Sequence, residues 1–111
     1  MTIINLPMVQ ERQNPADSAL AERLWEAIFL ARAGLGANSV DELEGEACGF
    51  YQPMARSVAR VVCGESALET DHAERAAELA LAQAVLAWRH RTSSGFRRFA
   101  RSVIIRQLSN P

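Results

Sequence analysis

The chain has no lysine; all twelve of its basic residues are arginine. Nineteen alanines accompany them, the pairing a GC-rich genome supplies, so arginine alone does not imply selection for bidentate anion recognition. Aromatic residues are scarce at 6%. Only two cysteines are present, Cys48 and Cys63, which permit one disulfide at most. Their helix-like apolar surroundings point to buried free thiols and a cytoplasmic location. Long apolar runs are missing too. The nearly unbroken stretch from Leu79 to Trp88 is ten residues long and contains Gln83, whereas a bilayer span needs about twenty, so neither a transmembrane helix nor a membrane partner is expected. The opening MTIINLPMVQER lacks an early positive cluster and reaches Pro7 before any long apolar run, unlike a secretory signal. Excess charge of one sign is absent as well. A net charge of -1 gives no global field toward nucleic acid or anionic lipid.

What is present is ordinary globular material: 111 residues, 49% apolar and 23% charged, enough for one domain with one core. With so many of the apolar residues alanine, the core rests on a limited set of larger side chains, leucine the commonest. That suits closely approaching helices better than a β-sandwich. The pattern divides the chain into an extended N-terminal arm, residues 1–13, and a single helical domain, residues 14–111. The arm contains Thr2, Ile3, Ile4 and Val9, with Pro7 forbidding a continuous helix.

The first helix is marked by Asn14 as a cap, Pro15 at the first helical position and Asp17 just inside. Leu20, Leu24, Ala27, Ile28 and Ala31 form its apolar face, which Trp25 and Phe29 widen. Gly34 and Gly36 stop it. Ser39 to Glu42 matches a capping box that opens a second helical segment. Its rhythm runs through Val40, Leu43, Ala47, Tyr51, Met54, Val58 and Val61. Pro53, with Gly45 and Gly49 before it, favours a break near residues 49–53 over one kinked helix. A further helix starts at Ser66 or Thr70 and runs to about Arg91; its middle, LALAQAVLAW, reads as surrounded by other helices or by a partner. After the turn Thr92–Gly95, the last helix runs from Phe96 to about Leu108. The expected fold is therefore all-α, a compact bundle of four or five helices.

Charge is distributed unevenly along this outline. Residues 1–78 carry all thirteen acids and six arginines, a balance of -7, and residues 79–111 carry six arginines and no acid, a balance of +6. On a helical wheel Phe96, Phe99, Ala100 and Val103 share one side of the last helix. Arg97, Arg98 and Arg101 lie opposite with Ile105, flanked by Leu108, while Arg89 and Arg91 extend the patch across the turn. Three readings compete. In the first, the acidic run Asp41, Glu42, Glu44 and Glu46 faces these arginines as surface ion pairs. In the second, the hairpin of residues 89–106 meets nucleic-acid phosphates, although Arg91 stands where a helix-turn-helix prefers a small residue and Gln107 falls on the apolar side. In the third, Ile105 among arginines marks a protein interface.

Chemistry finds little support. Glu69-x-x-His72 is a single such pair where a di-iron bundle needs two, and His90 has Ala87 three residues before it. Cys48, Cys63, His72 and His90 lack close ligand spacing for zinc. No nucleophile motif, P-loop or dinucleotide fingerprint occurs, so no cofactor, metal or enzyme activity is expected. Trp25, Phe29, Trp88, Phe96 and Phe99 read as core, and Phe50 and Tyr51 beside Pro53 do so less firmly. The resulting expectation is a small cytoplasmic regulator or adaptor that binds an acidic protein surface or its own second copy. Arg89, Arg91, Arg97, Arg98, Arg101 and Ile105 form its binding face. A homodimer is favoured by the apolar surface that the arm, the long helix and Ile105 offer. The alternative is a DNA-binding regulator that uses the same hairpin.

Overall fold

The computed structural model describes residues 15–63 and 67–109. Among the described residues the fold is all-helical: α1, Pro15–Arg32; α2, Val40–Cys63; α3, Ala67–Ala87; and α4, Phe96–Ser109. The N-terminal arm, the Asn14 cap and a helix start at Ser66 lie outside the described residues.

Pro15 opens α1 with Asp17 in the first turn, where a carboxylate complements the helix dipole. The helix closes as the glycine pattern requires. Gly34 adopts a φ of 81°, the Leu35 N–H donates to the Leu30 carbonyl at 2.9 Å and the Gly34 N–H to Ala31 at 3.0 Å. These are the two bonds of a Schellman cap. The inward face of α1 is rotated from the expected stripe: Ala21, Leu24, Trp25 and Ile28 are buried, whereas Leu20 and Phe29 are exposed. Full burial of the Trp25 indole, the largest apolar group on the helix, turns Leu20 and Phe29 outward.

In α2, Ser39 acts as the cap, its Oγ accepting the Glu42 N–H at 3.3 Å. The break expected near residues 49–53 does not occur, and α2 runs unbroken through Pro53. Leu43, Ala47 and Tyr51 before the proline and Met54, Ala55 and Ala59 after it are buried on one face. Packing on both sides thus holds the helical phase that local propensity opposes. Pro53 and Gly49 are both exposed, so water can satisfy the carbonyl that loses its partner. Replacing Pro53 by alanine restores that hydrogen bond on a solvent face. It is expected to stabilise the protein by about 1–3 kcal/mol, read as a rise of several degrees in melting temperature. An unchanged or lower midpoint would show that the bend itself is needed for packing.

Helices α2 and α3 run antiparallel. Gln52 and Arg56 both donate to Glu78 at 3.0 Å, and Arg60 reaches Glu74 at 3.2 Å. Beneath this polar edge Ala55 and Ala59 of α2 and Ala77, Ala80 and Ala84 of α3 are buried, small enough for the axes to come close. α3 ends at Ala87, four residues short of Arg91. Nor do the other described helices surround its middle: Leu79 is 68% and Leu86 52% exposed. Among the described residues no helix covers that side of α3. Cys48 and Cys63 are free thiols, half-buried rather than buried as expected.

The core is centred on Phe96, which is fully buried. Its ring lies 4.6 Å from Tyr51, 4.8 Å from Trp25 and 5.5 Å from Trp88, centroid to centroid. Arg32 binds three elements together, donating to Glu44 of α2 at 3.0 Å, to the Val85 carbonyl at 2.8 Å and to the Trp88 carbonyl.

Candidate functional site

The first turn of α4 is set by the chain before it. Gly95 has a φ of 89°, and the Phe96 N–H donates to the Ser93 carbonyl at 3.0 Å. This places Phe96, Ala100 and Ile104 inward, with Phe99, Val103 and Leu108 packed against the core.

The arginine face does not survive as one surface. Arg98 points to solvent, and Ile105 is 42% exposed beyond it. Arg97 and Arg101 are half-buried on the flank. The Arg97 guanidinium lies 5.5 Å from the centre of the Tyr51 ring on α2, a cation–π contact. Arg91 turns away altogether: it pairs with Glu26 of α1 at 3.1 Å and sits 5.7 Å from the Phe29 ring centre. It anchors its own connection and does not extend the patch. Arg89 is exposed on that connection. Leu108, expected at the flank of Ile105, packs on the core, while Gln107, expected on the apolar side, is exposed near the helix end. Glu44 pairs with Arg32 at 3.0 Å, and Asp41, Glu42 and Glu46 are exposed.

With α3 ending early, the connection to α4 runs from Trp88 to Gly95, longer than the four-residue turn expected. It is held against α1. The Glu22 carboxylate accepts the Thr92 hydroxyl at 2.9 Å and the Ser93 hydroxyl at 2.8 Å. Those two bonds, from Ser93 first and Thr92 second, hold the Glu22 carboxyl below the usual carboxylate range. No local signal in the sequence links Glu22 to residues 92 and 93, which follow it by some seventy positions. Sequence reasoning treats Thr92 and Ser93 only as turn residues.

A cleft of about 540 Å³ opens where α1, α2 and the start of α4 meet. Among the described residues Tyr51 forms its floor, Arg97 and Arg98 supply its charge, and Ser18, Ser93 and Ser94 complete the lining. The Arg97 Nε is buried and has no hydrogen-bond partner. Tyr51 accepts the Trp25 indole N–H at 3.1 Å, and burial raises its phenol above the ordinary tyrosine range, partly offset by that bond and by Arg97.

Tyr51 is the only tyrosine, and there is no lysine. Arginine stays protonated throughout the accessible range, so the alkaline pH dependence of the fold is read at Tyr51 and Cys48. Burial also raises Cys48. A phenol whose pKa is raised by folding binds more protons in the native than in the unfolded state, so stability falls with rising pH. The contribution is complete below the unfolded value of about 10 and is lost as pH climbs through the higher folded value. Urea midpoints for wild type are therefore expected to drop above that point, and Tyr51→Phe to flatten the drop. An identical slope in the variant would assign the loss to Cys48.

His72 is exposed, and His90 lies edge-on to Trp88 with centroids 4.6 Å apart. Among the described residues no three His, Cys, Asp or Glu side chains are grouped to hold a metal, and no helix is long and apolar enough to cross a membrane. Comparison with protein families, curated proteins and solved structures finds no match. Function is therefore argued from the residues.

Proposed function

We propose that this chain is a small non-enzymatic regulator or adaptor that binds a partner protein through α4 and the cleft at its start. The observation that carries the reading is the pairing of uncommitted charge with exposed apolar surface. Arg97 and Arg98 have no carboxylate partner among the described residues, while Arg32, Arg56, Arg60, Arg75 and Arg91 all do. Ile105 stands exposed on the same helix. Arginine beside an exposed aliphatic is a composition that interfaces favour. In this reading the protein acts in the cytoplasm, and self-association as a homodimer draws on Ile105, Leu79 and Leu86. The face breaks up at Arg91, which is tied to Glu26, and this favours a protein surface over a phosphate track.

The test pairs partner capture from the native host with titration of a mixed-sequence DNA duplex at several salt concentrations. Wild type is expected to retain a partner that Ile105→Asp and Arg98→Glu lose, each variant keeping its helical circular dichroism. Duplex binding is expected to be negligible at moderate salt. Capture unaffected by either substitution would reject α4 as the interface. Steeply salt-dependent duplex binding, lost in an Arg97/Arg98/Arg101-to-Glu variant, would replace the reading with DNA binding.

A further inference from the structure

The cleft at the start of α4 has the chemistry of a receptor for one oxyanion. Arg97 reaches it from α4 with one face of its guanidinium over the Tyr51 ring, and its Nε, buried and without a hydrogen-bond partner, is a donor held away from water. Arg98, also on the lining, is exposed and unpaired among the described residues. The neutral donors differ in availability. The Ser93 hydroxyl is committed to Glu22 at 2.8 Å, whereas Ser94 and Ser18 line the cleft with no hydroxyl donation among the described contacts. The Tyr51 oxygen accepts from Trp25 and keeps its own proton to donate.

Charge selects among oxyanions. Glu22 stands beside the cleft, holding the Ser93 hydroxyl of its lining at 2.8 Å. Arg97, Arg98 and Glu22 together leave one positive charge, which a monoanion neutralises and a dianion does not. On the same flank Glu26 is already bound to Arg91. A nucleic-acid strand carries a charge on every residue of its backbone, more than this one positive charge neutralises, and Glu22 repels the phosphates beyond the first. A lone carboxylate on a peptide meets no such repulsion, and its planar pair of oxygens suits the guanidinium fork.

We infer that the cleft receives one carboxylate of an acidic peptide segment, held between Arg97 and Arg98 with Ser94 as an accessory donor. The inference rests on the reading of α4 as a protein-binding surface and names what that surface recognises. Ile105, lower on the same helix, supplies the apolar contact beside the anchor.

The test uses the full chain and a peptide capped at both ends, Ala-Glu-Ala, with Ala-Gln-Ala as the uncharged control. Arginine Nε–H resonances are followed by NMR. The Arg97 signal is expected to shift saturably with the glutamate peptide and to stay still with the glutamine peptide. Arg98→Gln, a substitution at an exposed position that leaves the core untouched, is expected to weaken binding by about tenfold. Ile105→Asp is expected to leave the shift unchanged, so loss of partner capture in that variant and loss of the anchor are read separately. Equal response to both peptides, or no weakening in Arg98→Gln, would overturn the site. Tighter response to inorganic phosphate or to a DNA duplex than to the glutamate peptide would overturn its assignment to a carboxylate.

Discussion

Replacing Phe96 by alanine is expected to lower stability by about 3–5 kcal/mol, a large share of the roughly 5–15 kcal/mol that holds a domain of this size folded. The ring is fully buried and touches aromatic side chains from every other part of the bundle: Trp25 of α1, Tyr51 of α2 and Trp88 beyond α3, with Phe99 of α4 at 6.4 Å. Four neighbours of that size cannot close around a methyl group without moving their helices, so the cavity persists and the cavity cost is added to the lost transfer energy. Phe96→Leu retains most of the volume and is expected to cost less than about 1.5 kcal/mol. Phe29→Ala is the control, since Phe29 is exposed on α1 and its loss is expected to stay within about 1 kcal/mol. Urea unfolding followed by tryptophan fluorescence reads all three, because Trp25 lies against the ring. If Phe29→Ala proves as costly as Phe96→Ala, the core is centred elsewhere.

Phe96 was legible in the sequence because it opens a helix whose inward side the heptad-like spacing of Phe99, Ala100 and Val103 already marks. Arg97 shows where that reasoning stops. A helical wheel gives the azimuth of a side chain about its own axis; whether that azimuth is covered depends on which helix lies beside it. Here α2 brings Tyr51 under Arg97, so two arginines adjacent in sequence, Arg97 and Arg98, meet different surroundings. Leu79 and Leu86 fail in the opposite sense: apolar residues all round α3 imply neighbours all round, but the chain has no further described helix to supply them. At Pro53 local propensity favoured a break, and burial on both sides of it prevailed. The pinning of the α3–α4 connection was invisible because its partners, Glu22 and Glu26, lie far away in sequence and act through single polar contacts. Capping signals fared best. Ser39 and Gly34 act within their own few residues, and the structure uses both as expected.

Arg32→Ala is expected to cost about 2–3 kcal/mol although the residue lies outside the aromatic core. The figure is set below the cost of breaking a fully buried ion pair because some solvent reaches this one. The Arg32 and Glu44 side chains are each 14% exposed. Glu44 is only one of three acceptors. The others are the carbonyls of Val85 and Trp88, at the C-terminal end of α3, where the last turn of a helix leaves carbonyls without partners and concentrates negative charge. The cation that ends α1 therefore caps α3. Truncating it strands Glu44 and removes the donors from two carbonyls at once. Glu44→Gln breaks the ion pair but keeps the carbonyl bonds, so it is expected to cost clearly less than Arg32→Ala in the same urea titration. Equal losses would mean that the carbonyls are satisfied by water when Arg32 is gone. The variant also tests how the cleft is supported. Trp88 begins the connection that carries Ser93 and Ser94 to the start of α4, so freeing its carbonyl loosens the cleft from a distance. Arg32→Ala is therefore expected to broaden the Arg97 Nε–H resonance at pH and temperature where the protein remains folded, an effect that Phe29→Ala should not produce.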